Sequence, residues 1–168
     1  SVTVLSGMTF HSEHNNTGNQ VLLLVDMSDT EEQSAENRDS FVKAVLDAGK
    51  NDKFNIGIVT FGFDQRYVAE FSTDADKVFE EYMRADKPDT SATDIAAALS
   101  YAKNLFTGNG TSKIVLITDG KETDEDALTV IKSVTAKNIV VDTVNIPSSF
   151  DGSDARITGI TLPDYHVK

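Results

Sequence analysis

The stretch VLLLVDMSDTEEQ, residues 21–33, decides how the chain folds. Five apolar residues run straight into Asp26, Ser28, Asp29 and Thr30, and then Glu31 and Glu32. A strand with one wet face alternates apolar and polar residues, and this one does not. A continuous apolar run is the pattern of a strand covered on both sides, as in a parallel sheet between layers of helices. The acids and hydroxyls that follow mark where it stops.

Two further stretches share the pattern and a fourth is close to it. FNIGIVTFG (54–62), KIVLITDG (113–120) and NIVVDTVNIP (138–147) are rich in Val and Ile and read as strands. QRYVAEF (65–71) differs: it alternates, with Tyr67, Ala69 and Phe71 expected on one face. It follows the short turn GFD, so it reads as a hairpin partner and an antiparallel edge. Between the strands lie helical patterns. Phe41, Val42, Val45 and Leu46 form one stripe, with Gly49 placed to end that helix. Val78, Phe79, Tyr82 and Met83 form a second, behind a capping box expected from Thr73 and Asp76. Ile95, Leu99, Ala102 and Phe106 form a third, with Thr93 at its N-terminus. The segment TDEDALTVIKSVTAKN opens with acids, as a helix start prefers. The alternation predicts an α/β, doubly wound, Rossmann-like fold. Its central sheet is mostly parallel, with one antiparallel edge strand and helices on both faces.

The chain's 168 residues suit one domain with a real core. Residues 1–19 read as an N-terminal extension with an extra strand, 20–147 as the domain, and 148–168 as a loop and strand. The last of these is expected to begin a following module, so the chain reads as one part of a longer multi-domain protein. A net charge of −12 repels nucleic acid and anionic lipid and excludes both as expected partners. The absence of cysteine excludes disulfides and thiolate metal sites. No apolar run approaches the roughly 20 residues that span a bilayer, so no membrane insertion by this segment is expected.

In an open α/β sheet, ligands bind beyond the carboxyl ends of the strands. After the first strand come Asp26, Ser28 and Thr30, and after the fourth comes Asp119. Thr93 sits ahead of the third helix. Far apart in sequence, these residues are expected on one edge of the sheet. The set is all oxygen, which suits Mg²⁺, Mn²⁺ or Ca²⁺. With only two carboxylates, such an ion keeps an open position for an outside oxygen, such as a partner's carboxylate. Each piece alone has a plainer reading. Asp26 to Thr30 serves equally as a strand terminator and cap, Thr93 as an N-cap, and Asp119-Gly120 as a turn. His11 and His14 lie in a polar segment and read as solvated surface.

The segments LLLVDMSDT, TDIAAAL and IVLITDG resemble the three parts of the metal-ion-dependent adhesion site of von Willebrand factor type A domains. That resemblance implies metal ligation by Asp26, Ser28, Thr30, Thr93 and Asp119. In the family the hydroxyls bind the ion directly and the acids often act through water. Thr30 stands where a second Ser is usual, and Asp29 where a small residue is common. The resemblance implies a binding module that captures an acidic group of a protein partner, not an enzyme. The longer pattern through ITLPDYHV is similar to bacterial type A domains inside multi-domain membrane proteins, which implies an extracytoplasmic or cell-envelope location.

Two other classes compete. DMSDT has the outline of a phosphatase motif of the haloacid-dehalogenase type, but Ser28 replaces the second Asp, the usual general acid. Ser-His-Asp hydrolysis is poorly supported, since histidine occurs only at positions 11, 14 and 166. A scaffold domain with an empty site is the third reading, and metal titration separates it from the first.

Overall fold

Asp26 and the residues before it are buried at every position of their strand, which puts that strand in the middle of the sheet. The computed structural model describes residues 2–5, 8–11, 19–29, 31–50, 54–107, 110–118 and 125–146. The element order is β1 (Val2–Leu5), β2 (Met8–His11), β3 (Gln20–Asp26), α1 (Glu32–Lys50), β4 (Asn55–Phe61), β5 (Gln65–Ser72), α2 (Ala75–Arg84), α3 (Ile95–Ala102), β6 (Ser112–Thr118), α4 (Glu125–Thr135) and β7 (Ile139–Asn145). The main sheet runs β5-β4-β3-β6-β7. β4, β3, β6 and β7 are parallel, and β5 is the antiparallel edge. This is the expected doubly wound architecture. The first two strands form a separate antiparallel pair and do not extend the main sheet. The strand expected within residues 148–168 lies outside the described residues.

Side chains of β3 alternate between two cores. Val21, Leu23 and Val25 pack on one face with Phe41, Val42, Val45 and Leu46 of α1 and Val78 and Tyr82 of α2. Leu22 and Leu24 pack on the other with Leu99 of α3 and Ile131 and Val134 of α4. The stripe of α1 is therefore its buried face, as are Val78 and Tyr82 of α2 and Ile95, Leu99 and Ala102 of α3, whereas Met83 is 53% exposed and Phe106 lies beyond the end of α3. Each fully buried Val or Leu contributes about 1.5–3 kcal/mol, so the two-sided strand anchors the domain.

Three local expectations need correction. Tyr67 and Phe71 pack in one core, but Ala69 packs in the other. The β4–β5 register shifts on both sides of the Ile58–Ala69 pair, and each bulge moves a residue to the opposite face. The cap of α2 is Asp74, whose side chain accepts from Lys77 N, and not Thr73. Gly49 lies inside α1, which continues to Lys50. The turn from α4 to β7 closes through Asn138 at φ 63°, a left-handed conformation that asparagine tolerates better than most residues.

Candidate metal centre

Four parallel strands end on one edge, and the chain leaves β3 there. Met27 N donates to Phe61 O at 2.8 Å, which extends the pairing with β4 past the strand end. Asp26 is 4% exposed. Its Oδ1 accepts from Ser28 N at 2.9 Å, an Asx turn that bends the loop back over the strand end. Asp29 repeats the device: its Oδ1 accepts from Glu31 N at 3.0 Å, just before α1. Asp26 and Asp29 are thus used by the backbone as turn formers. The same turn holds the Asp26 carboxylate and the half-buried Ser28 side by side at the strand end.

Thr93 reaches this edge by another route. The β4–β5 hairpin and the 89–94 segment are bonded to each other by backbone groups: Phe63 N donates to Asp89 O at 2.7 Å, and Asp94 N to Gly62 O at 2.9 Å. Asp64 Oδ1 accepts from Asp89 N at 2.7 Å, and Asp89 Oδ1 from Ser91 N at 2.9 Å. The Ser91 hydroxyl and amide hold the Asp89 carboxyl below its ordinary range. Gly62 directly follows Phe61, the register partner of Asp26. The segment carrying Thr93 is therefore fastened beside the end of β3. Gly62 permits this approach, because a Cβ there would lie 2.2 Å from Asp89 O. The cap of α3 is Asp94, accepting from Ala97 N at 2.9 Å, so Thr93 is not the cap expected from the sequence.

The structure brings Asp26, Ser28 and Thr93 to one edge. Thr30 and Asp119 lie outside the described residues, Asp119 immediately after the last residue of β6. Among the described residues, no three His, Cys, Asp or Glu side chains converge as a metal cage. The candidate set is of a different kind, one buried carboxylate with hydroxyls. Such hard oxygen donors fit Mg²⁺ or Mn²⁺ and not a soft metal. His11 lies in β2, and His14 is outside the described residues.

Sequence reasoning missed what lies behind this loop. A cavity of about 220 Å³ opens there, with Asp26, Asp29, Ser34, Asn37, Arg38 and Thr118 among its walls. Arg38 and Asn37 of α1 are each 5% exposed. Arg38 Nη1 donates to Asp29 O at 3.2 Å, so α1 grips the loop from inside. The helical pattern around Phe41 already places Arg38 on the inner face, since the two are three residues apart. That spacing was the available signal.

The model of the von Willebrand factor type A domain matches residues 20–164. The chain belongs to the von Willebrand factor type A family. Among functionally curated proteins no sequence match was found. Solved structures similar to this type A domain include an aerotolerance-related membrane protein from Bacteroides fragilis, with TM-score 0.61 and 18% identity over 87% of this chain and 80% of that one. Proximal thread matrix protein 1 from the mussel byssus, with zinc in its metal-ion-dependent adhesion site, gives TM-score 0.65 and 16% identity over 77% of this chain and 38% of that one. The manganese-loaded Plasmodium vivax TRAP protein gives TM-score 0.64 and 18% identity over 78% and 58%. At these identities the likeness is one of fold. Among the described residues of this type A domain, no helix is long and apolar enough to cross a membrane.

Proposed function

We propose that this type A domain is a divalent-metal-dependent protein-binding module. Asp26, Ser28, Thr30, Thr93 and Asp119 hold the ion, Mg²⁺ or Mn²⁺ by donor chemistry with Ca²⁺ as the larger alternative. The hydroxyls of Ser28, Thr30 and Thr93 would bind it directly, and Asp26 and Asp119 would supply charge, directly or through water. An ion so held keeps an open position that a partner protein's carboxylate fills. The observation that carries this reading is the convergence at the end of β3. A buried Asp26 turns back onto Ser28, and the segment bearing Thr93 is fastened to the residue after Asp26's register partner.

This chain's own residues do the positioning. The Asx turn fixes Asp26 against Ser28, and the Asp94 cap with the Gly62 contact fixes the approach of Thr93. Two of the similar folds hold zinc and manganese, which supports the choice of a divalent ion. The likeness to a bacterial membrane protein supports a module tethered at the cell envelope within a longer chain.

Calorimetric titration with Mg²⁺ and Mn²⁺ tests the assignment. Saturable binding by the wild type, lost in Asp26→Ala and weakened in Ser28→Ala, is expected. Unchanged affinity in Asp26→Ala places the ion elsewhere, and no binding by the wild type leaves a scaffold domain. A hydrolase would instead show turnover with Mg²⁺ that Asp26→Asn abolishes.

A further inference from the structure

Arg38 is a cation buried to 5% exposure directly behind the candidate metal loop. It makes no ion pair with any described residue. Its Nη1 holds the Asp29 carbonyl, and its Nε has no hydrogen-bond partner among the described residues. On its other side it lies beside the Tyr82 phenol, which in turn donates to Asp39 Oδ1. Taking a guanidinium out of water without an ion pair is costly, and an apolar side chain on this face of α1 would pack without that cost. A compensating negative field is needed to keep it there. The same cavity supplies one, since Asp26 and Asp29 line it together with Arg38.

We propose, resting on the metal-site reading above, that Arg38 is the internal counter-ion of the metal loop. It balances the clustered carboxylates when no ion is bound, and it opposes the entry of a dication when one binds. A group that favours the metal-free state lowers metal affinity by the same factor. Arg38 is thus a positioning residue with two separable effects. Its Nη1 orders the loop through Asp29 O, and its charge weakens the site. The affinity is set low enough for a partner's carboxylate to matter, because that carboxylate supplies the negative charge that offsets both cations.

Three variants separate the two effects. Arg38→Met removes the charge and the donor, Arg38→Gln removes the charge but retains an amide donor for Asp29 O, and Arg38→Lys retains the charge. Metal affinity is read by calorimetry, and stability by urea unfolding with EDTA and with saturating Mg²⁺. Arg38→Gln is expected to bind Mg²⁺ and Mn²⁺ about tenfold more tightly than wild type, while Arg38→Lys stays near the wild-type value. That tenfold corresponds to about 1.4 kcal/mol. Both neutral variants should lose stability in EDTA and regain part of it with Mg²⁺. A neutral variant that is unfolded in EDTA but folds on adding Mg²⁺ supports the proposal in the same way. If Arg38→Gln and Arg38→Met bind metal no more tightly than wild type, or stay unfolded in both conditions, Arg38 is only a structural residue and the proposal is overturned. Wild-type protein that binds no ion overturns the metal-site reading as well, so the two failures are told apart.

Discussion

Gly62 is where the hairpin and the Thr93 segment touch, and Gly62→Ala should break that contact. An added Cβ would lie 2.2 Å from Asp89 O, 3.1 Å from Asp89 C and 3.3 Å from Ala92 O. All three are backbone atoms, so no rotamer change relieves the clash. An ordinary carbon–oxygen contact is about 3.3–3.6 Å, so the two segments must part by about 1 Å. Overpacking of this kind costs about 1–3 kcal/mol. The displacement also strains the 2.9 Å Asp94 N to Gly62 O and 2.7 Å Phe63 N to Asp89 O hydrogen bonds. Each is worth about 0.5–1.5 kcal/mol if lost. We expect a destabilisation of about 2–4 kcal/mol in urea unfolding, and Mg²⁺ affinity should fall because Thr93 moves with Asp94. Phe63→Ala is the control. That side chain is 59% exposed, and its substitution should change stability by less than about 0.5 kcal/mol. A Gly62→Ala variant as stable as the control would refute the view that this backbone contact positions Thr93.

Asp94→Ala removes the α3 cap and should cost about 0.5–2 kcal/mol by urea unfolding, whereas Thr93→Val should spare the helix and lower only metal affinity in calorimetry. Lys113 Nζ meets Asp142 Oδ2 at 2.6 Å between β6 and β7, with both side chains largely buried. Asp142→Ala should therefore cost up to about 3–5 kcal/mol, and the double variant Lys113→Met, Asp142→Leu should recover most of it. Burial, and then the Asp39 carboxylate that accepts from its hydroxyl at 2.7 Å, push the Tyr82 phenol up from its ordinary value. The folded state holds that proton more tightly than the unfolded chain. Its contribution is full below pH about 10 and is lost as pH rises beyond it, so unfolding midpoints should fall more steeply there for wild type than for Tyr82→Phe.

The main sheet was legible because its strands are limited by physics the sequence carries openly. Val and Leu in an unbroken run at 21–25 need cover on both faces, and the helix stripes that supply it are spaced as helices require. The edge strand was legible as a strand but not in its faces. The bulges around Ala69 depend on pairing with β4, which a single strand's pattern does not encode. At the site, Asp26 and Ser28 lie at the edge where the parallel strands end, and Thr93 is carried beside it by the segment bonded to Gly62 and Phe63. The cap of α3 was misassigned by one residue, since Thr93 and Asp94 are both good caps and only the hydrogen bond to Ala97 N decides between them. Gly62 and Arg38 were not singled out. The close approach at Gly62 and the burial of Arg38 behind the loop exist only once distant segments are packed together.

The central claim is that an ion sits between the end of β3 and the Thr93 segment. Anomalous X-ray diffraction from crystals grown with Mn²⁺ tests it most directly. The account predicts one strong peak in direct contact with the hydroxyls of Ser28, Thr30 and Thr93, with Asp26 and Asp119 alongside. A peak elsewhere on this acidic chain, or no peak at millimolar Mn²⁺, would contradict it.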